Sequence, residues 1–179
     1  IIFILQNKDV EKVRQILKKK KNIKYKIIIQ KIPNGMGSAI NLGIQKIREI
    51  NFAVIWADQI YISNKTISKT LTMHFKKKAD LTFPIKKIRK PYTNVIFDIH
   101  GKFKDIKQMR EQNKKPKIGI NDCGFFVCKS KIFKVLLPEL IKKNLIRSKK
   151  TKEYDFLHSF KFLNNNKIYN VMASKKIET

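Results

Sequence analysis

The sequence contains no apolar run near the roughly 20 residues needed to cross a bilayer as a helix. Its longest apolar opening, IIFIL at residues 1–5, lacks the basic flank of a secretion signal. A cytoplasmic chain with no membrane partner is therefore expected. Cysteine is scarce, with Cys123 and Cys128 the only two. If both lie on one strand, a spacing of five puts them on opposite faces, which argues against a disulfide. Two Cys without nearby His make no zinc site, and a reducing compartment fits. There is no internal repeat and no linker long enough to divide the chain, so one domain is expected over residues 1–179.

Acidic residues are also few, 13 against 41 Lys and Arg, giving a formal charge of +28. That balance suggests nucleic acid at first sight. Only five of the basic residues are Arg, however, and Lys, Ile and Asn together are rich in a way that an AT-rich genome produces. The lysines are scattered over 18–21, 76–78, 86–87, 114–117, 142–143, 149–150 and 175–176 rather than gathered into a patch. No specific nucleic-acid partner is expected. The positive field still favours a phosphate-rich small substrate.

What is present alternates. Apolar runs at 1–5, 23–30, 52–56 and 79–88 read as strands. Between them, 9–20 and 38–49 have helical spacing, and 64–78 carries Ile67, Leu71 and Phe75 as a stripe. Strand, helix, strand, loop, helix, strand, helix, strand predicts an α/β domain with a mainly parallel sheet flanked by helices. Past Pro91 the pattern changes. Residues 94–109 predict a β-hairpin turning at His100-Gly101, 123–128 a strand, 130–144 and 151–166 helices, and 167–173 a last strand.

In open α/β sheets ligands collect beyond the carboxyl ends of the strands. Two stretches point there. FAVIWADQIYIS (52–63) runs apolar to Trp56 and then ends on Ala57 and Asp58. QKIPNGMGSA (30–39) leaves a strand at Gln30, crosses a loop with Gly35, Met36 and Gly37, and enters a helix. Glycines let a backbone approach a ligand, and a helix N-terminus favours phosphate. A carboxylate opposite could hold Mg²⁺, which takes one or two carboxylates and fills its shell with water and phosphate oxygen. Plainer readings stand beside these: the glycines also suit a simple turn, Gln30 a strand end, and Asp58 a loop anchor.

In order, these stretches resemble the sugar-phosphate nucleotidyltransferases, and within them the N-acetylglucosamine-1-phosphate uridylyltransferase type. The family pattern is a Gln, four residues, Gly-Thr-Gly-x-Ala and a helix, then an apolar strand closing on Gly-Asp. PYTNVIFDIHGKFKDI (91–106) resembles its Pro-Tyr-Gly-Arg-Ile hairpin. GINDCGFFVC (119–128) resembles its Glu-x-Asn/Asp-x-Gly strand, and KEYDFLHSFKFLNNNKIYNV (152–171) its late helix and strand. The likeness covers nearly the whole chain.

The resemblance implies a Rossmann-like, GT-A-like fold with a β-hairpin insertion. It implies Mg²⁺-dependent transfer of a nucleotidyl group from an NTP, UTP first, to a sugar-1-phosphate. Gln30 would read the base edge, with Gly35, Met36 and Gly37 against the base. Trp56, Ala57 and Asp58 would line ribose and phosphate, Asp58 holding the metal. Thr93, Gln108 and Asp122 would face the sugar. The chain departs from the pattern at Met36 for Thr, Ala57 for Gly, Thr93 for Gly, Gln108 for Glu and Asp122 for Asn. The family's Gly-rich triphosphate loop would precede Ile1 and its second metal ligand would follow Thr179. This stretch alone is therefore expected to be inactive, with a possible further domain beyond Thr179. An inactive nucleotidyltransferase-like binding domain and a guanylyl- or cytidylyltransferase remain as alternatives.

Overall fold

Each apolar run expected to be a strand contains one in the computed structural model, which describes residues 1–20, 22–59 and 62–174. The order is β1 (Ile2–Leu5), α1 (Val10–Lys18), β2 (Lys26–Ile29), α2 (Met36–Ile44), β3 (Asn51–Ile55), α3 (Asn64–Lys77) and β4 (Leu81–Arg89). It continues with β5 (Thr93–Phe97), β6 (Phe103–Gln108), β7 (Ile118–Asp122), β8 (Phe125–Lys129), α4 (Ser130–Lys142) and β9 (Ile168–Met172). None of the described helices is long and apolar enough to cross a membrane.

The expected α/β architecture is present, with a central sheet flanked by helices. β4 is its spine. β8 pairs with the first residues of β4 and with all of β3, while β7 pairs with the last half of β4. β9 runs parallel to β4 from Leu81 to Ile85, and β1 runs parallel to β2. Antiparallel pairing takes a larger share than the strand–helix alternation predicts, because β7 and β8 both enter against β4. β5 and β6 form the expected hairpin, with Thr93 opposite Gln108.

Three local expectations are corrected. The run 123–128 is not one strand: the chain breaks at Gly124, whose φ of +64° turns β7 into β8. Cys123 therefore sits in the turn and Cys128 in β8. Both are buried and neither forms a disulfide. The segment 151–166 is not an α-helix. It holds a short 3-10 helix at Leu157–Phe162, and Ser159 Oγ donates to the carbonyl of Phe156 at 2.6 Å, a side-chain bond that competes with helical pairing. Third, α3 does not bury its Ile67–Leu71–Phe75 stripe. It buries Thr66, Thr70 and His74, and Phe75 is 58% exposed. The face is turned by one residue because His74 bridges two strands: Nδ1 lies 3.1 Å from Thr82 Oγ1 and Nε2 3.1 Å from Asn51 Oδ1. Burial holds the imidazole below its ordinary range, an effect the Asp80 charge opposes.

The core beneath the sheet is aromatic. Phe83, Phe126, Phe133, Phe156 and Phe160 are fully buried. Phe156 stands edge-on to Phe160 at 4.9 Å and to Phe126 at 5.7 Å. Each such side chain contributes about 2 kcal/mol or more by leaving water. The non-helical segment after Tyr154 is thus fastened by side chains rather than by its own backbone.

Candidate functional site

β3 ends at Ile55, and Trp56 begins a tight turn in which Gln59 N donates to the Trp56 carbonyl at 3.0 Å. The Trp56 ring is half-buried and packs on Phe126 at 5.1 Å and on Phe156 at 6.1 Å. It anchors the turn to the core. Ala57 and Asp58 ride above it, exposed. Among the described residues no cation pairs with the Asp58 carboxylate, and no group of three or more His, Cys, Asp or Glu side chains converges to hold a metal. Asp58 could hold a cation here, and one carboxylate suits Mg²⁺, which fills the rest of its shell largely with water and phosphate oxygen.

The loop after β2 is held from both sides. Gln30 Nε2 donates to the Gly35 carbonyl at 3.2 Å and reaches Asn34 Oδ1 at 3.4 Å. Tyr154 N donates to the Asn34 carbonyl at 2.7 Å, and Gly37 N to the Tyr154 carbonyl at 2.8 Å. Gly35 has a φ of +105°, and a Cβ there would lie 2.6 Å from the Tyr154 carbonyl oxygen. At Gly37 the same oxygen would be 3.0 Å away. The glycines are needed by the chain's own packing, whatever ligand they also admit. Met36 opens α2 and packs partly against the core.

Thr93, Gln108 and Asp122 come together at the end of the hairpin. Thr93 Oγ1 donates to Asp122 Oδ2 at 2.6 Å, and Thr93 N donates to Asn121 Oδ1 at 2.8 Å. Asp122 Oδ1 accepts from Gly124 N at 2.8 Å. All three are under a tenth exposed. Burial pushes the Asp122 carboxyl up, the Thr93 hydroxyl and Gly124 N–H pull it back, and the nearby Asp155 charge adds to the rise.

Gly124 joins the two regions. Its carbonyl accepts from Trp56 N at 2.9 Å, its N–H serves Asp122, and a Cβ on it would lie 2.7 Å from Trp56 Cδ1. The exposed Asp58 and the buried Asp122 are thus carried on opposite sides of one glycine.

Sequence reasoning missed Glu153, Asp155 and Arg110. Arg110 Nε donates to Gln108 Oε1 at 2.6 Å and its Nη2 pairs with Glu153 at 2.9 Å. Asp155 is 3% exposed, and its Oδ1 accepts from Leu157 N at 2.9 Å. Burial raises its carboxyl, against the lowering effects of His158, the Leu157 N–H, Gln108 and Arg110. The only signal was the Glu-Tyr-Asp string at 153–155, which the expected helix hid.

The described residues form an α/β domain that carries a strand-end carboxylate, a glycine loop entering a helix and a buried polar trio. The family described as nucleotidyl transferase matches residues 1–169, and the chain belongs to it. No curated protein matches the sequence. Among solved structures, HddC from Yersinia pseudotuberculosis superposes with a TM-score of 0.67 at 18% identity, covering 96% of this chain and 68% of that one. HddC complexed with GMP-PN gives 0.68 at 18% identity, covering 97% and 69%. A Bacillus anthracis protein assigned as a glucose-1-phosphate thymidylyltransferase, solved with sucrose, gives 0.73 at 15% identity, covering 97% and 68%. At these identities the likeness establishes the fold.

Proposed function

We propose that the full-length protein uses this domain for nucleotidyl transfer from an NTP to a sugar-1-phosphate, giving an NDP-sugar and pyrophosphate. The observation that carries the reading is the convergence of two regions on one short segment. Tyr154 clips the Gln30–Gly37 loop through its backbone, while Glu153 and Asp155 on either side of it reach the Thr93–Gln108–Asp122 region. A nucleotide and its acceptor would meet there.

In this reading an oxygen of the sugar phosphate attacks the α-phosphorus, the bond to the β-phosphate oxygen breaks, and pyrophosphate leaves with its charge. Little covalent chemistry falls to the protein; positioning and charge neutralisation set the rate. Bound at Asp58, Mg²⁺ would neutralise charge on the phosphates. Gln30 and the loop to Gly37 would seat the base, and Trp56 with Ala57 would floor the ribose. Thr93, Gln108 and Asp122 would bind the sugar. The reaction sits within the cytoplasmic chemistry expected from the sequence.

The test is pyrophosphate release by the full-length protein with Mg²⁺, across a panel of NTPs and sugar-1-phosphates. UTP is the first nucleotide expected to turn over. Because HddC was solved with GMP-PN, GTP belongs in the panel, as does CTP. Release with no pairing would reject the reaction. One observation favours a second reading, an inactive binding domain: the Thr93 hydroxyl already occupies Asp122 Oδ2 at 2.6 Å. Such a domain would bind NTP without turning it over.

A further inference from the structure

β9 is a sheet edge without the usual guards. It pairs with Leu81 to Ile85 of β4 in unbroken register, and among the described residues no strand pairs with its other side. The Lys167 carbonyl accepts from Asp80 N at 2.9 Å, and Ala173 N donates to the Ile85 carbonyl at 3.0 Å. The direction of the backbone groups alternates along a strand, so Ile168, Asn170 and Met172 turn theirs away from β4. Natural edges are blunted by lysine, proline or a bulge. The β9 sequence IYNVM has no charge and no proline, and Met172 is 61% exposed.

A row of lysines runs beside this edge. Lys77 Nζ stands 5.9 Å over the Tyr169 ring, and Ser174 N donates to Thr66 Oγ1 at 3.1 Å, so α3 lies antiparallel along β9. Between them opens a groove of about 450 Å³ whose lining includes Lys65, Lys69, Lys76, Thr72 and Val171 and no acidic side chain. α3 contains no Asp or Glu. None of the three lysines has an ion-pair partner among the described residues. Lys65 and Lys69 are separated by a rise of about 6 Å along the helix. Side chains two apart on a strand are separated by about 6.6 Å. A strand added to β9 would therefore set every second side chain beside these lysines.

We propose that the β9 edge and this lysine row form a docking site for an extended acidic segment of a partner protein, which joins the sheet as a strand with acidic residues at alternate positions. Backbone pairing to Ile168, Asn170 and Met172 holds the segment, and Lys65, Lys69 and Lys76 select its charge. Charge argues against a second copy as occupant: pairing β9 with β9 would oppose two acid-free α3 helices. The proposal is independent of the reaction proposed above.

The experiment uses the full-length protein and a fluorescent, end-capped peptide of about ten residues that alternates Glu with Thr and Val, in about 0.15 M salt. Anisotropy reads affinity and amide hydrogen exchange reads location. The peptide should bind and should slow exchange at the N–H groups of Ile168, Asn170 and Met172, which are fast in the free protein. Lys65→Glu combined with Lys69→Glu should weaken binding about tenfold or more; both side chains are exposed, so the fold is retained. Met172→Pro removes an outward donor that β4 does not use and should weaken binding about fivefold. The same peptide with Lys in place of Glu should not bind. Failure of the acidic peptide to bind would overturn the proposal. An oligonucleotide of equal charge binding as tightly, with Met172→Pro harmless, would make the groove a general polyanion surface and overturn it as well. Slow exchange at the three amides before any peptide is added would show the edge already covered, by the rest of the chain or by a second copy, and would also overturn it.

Discussion

The backbone N–H of Gly37 donates to the Tyr154 carbonyl at 2.8 Å, so the start of α2 is sealed against a segment more than a hundred residues later in the chain. The same carbonyl oxygen would stand 2.6 Å from a Cβ at Gly35 and 3.0 Å from one at Gly37. Gly35→Ala must fight both this contact and a φ of +105°. It should cost at least about 2 kcal/mol, measured by urea unfolding, and should weaken NTP binding. Gly37→Ala, with ordinary helical φ and a looser contact, should cost less. Equal and negligible losses at both positions would remove the Tyr154 clip from the account.

The Thr93–Asp122 contact predicts a buried penalty. Thr93→Val keeps the shape and deletes the hydroxyl that serves Asp122 Oδ2 at 2.6 Å. Leaving that oxygen without its donor should cost about 1–3 kcal/mol. Asp122 should then titrate higher still, which side-chain NMR of the carboxyl carbon reads directly. An unmoved titration would mean that the hydroxyl does not hold the carboxylate.

Asp122 also carries a pH signature. Its carboxyl is raised in the folded protein, chiefly by burial. The folded state keeps its proton at pH values where the unfolded chain, with a carboxyl near the ordinary 3.9 or so, has released it. The unfolded state then binds fewer protons, so this group's contribution to stability falls as pH rises through the raised value. Asp122→Asn cannot titrate. Its stability deficit against wild type should therefore shrink between acid and neutral pH in paired urea titrations. A constant deficit would contradict the raised carboxyl.

His74 should act in the opposite direction. It is 1% exposed and its imidazole is held below the ordinary range by burial. As pH falls through about 6.5 the unfolded chain takes up a proton that the folded chain refuses. Stability should drop on acidification in wild type, and this part of the drop should be absent in His74→Gln. Persistence of the same slope in the variant would assign it to other groups.

Phe156 stands edge-on to Phe126, Trp56 and Phe160's neighbourhood in the aromatic core, at 5.7 Å from Phe126 and 6.1 Å from Trp56. Phe156→Ala should cost about 3–5 kcal/mol. The loss should also loosen the turn bearing Asp58, because Trp56 loses one of its two supporting rings. Hydrogen exchange at Trp56 N, bonded to the Gly124 carbonyl at 2.9 Å, reads that loosening. Unchanged protection there would uncouple the core from the turn.

The strands were legible because their apolar runs are local facts, and the hairpin because its turn residues are. Asp58 and Gln30 stood out because polar residues at the ends of such runs ask for a reason. What escaped was decided at long range. The buried face of α3 depends on Asn51 and Thr82 meeting His74, and no periodicity within 64–77 reveals that. The segment 151–166 reads as a helix, yet the packing of Phe156, Leu157 and Phe160 into the aromatic core and the Ser159 bond to the Phe156 carbonyl favour a 3-10 turn. Gly124 looked like one more residue of an apolar strand. It has a positive φ, and the turn of Trp56 to Gln59 lies against it so closely that a Cβ would not fit. Asp155 was hidden by the same mistaken helix, although the string that contains it was in view.

The proposed reaction needs the exposed carboxylate after β3 to serve a metal-bound nucleotide. Asp58→Asn in the full-length protein tests it most directly, with pyrophosphate release and urea unfolding measured on the same samples. Because Asp58 is exposed, stability should stay within about 0.5 kcal/mol of wild type. Turnover should fall by about a hundredfold or more, the scale of removing one group that stabilises transition-state charge. Wild-type turnover in a folded Asp58→Asn protein would contradict the account.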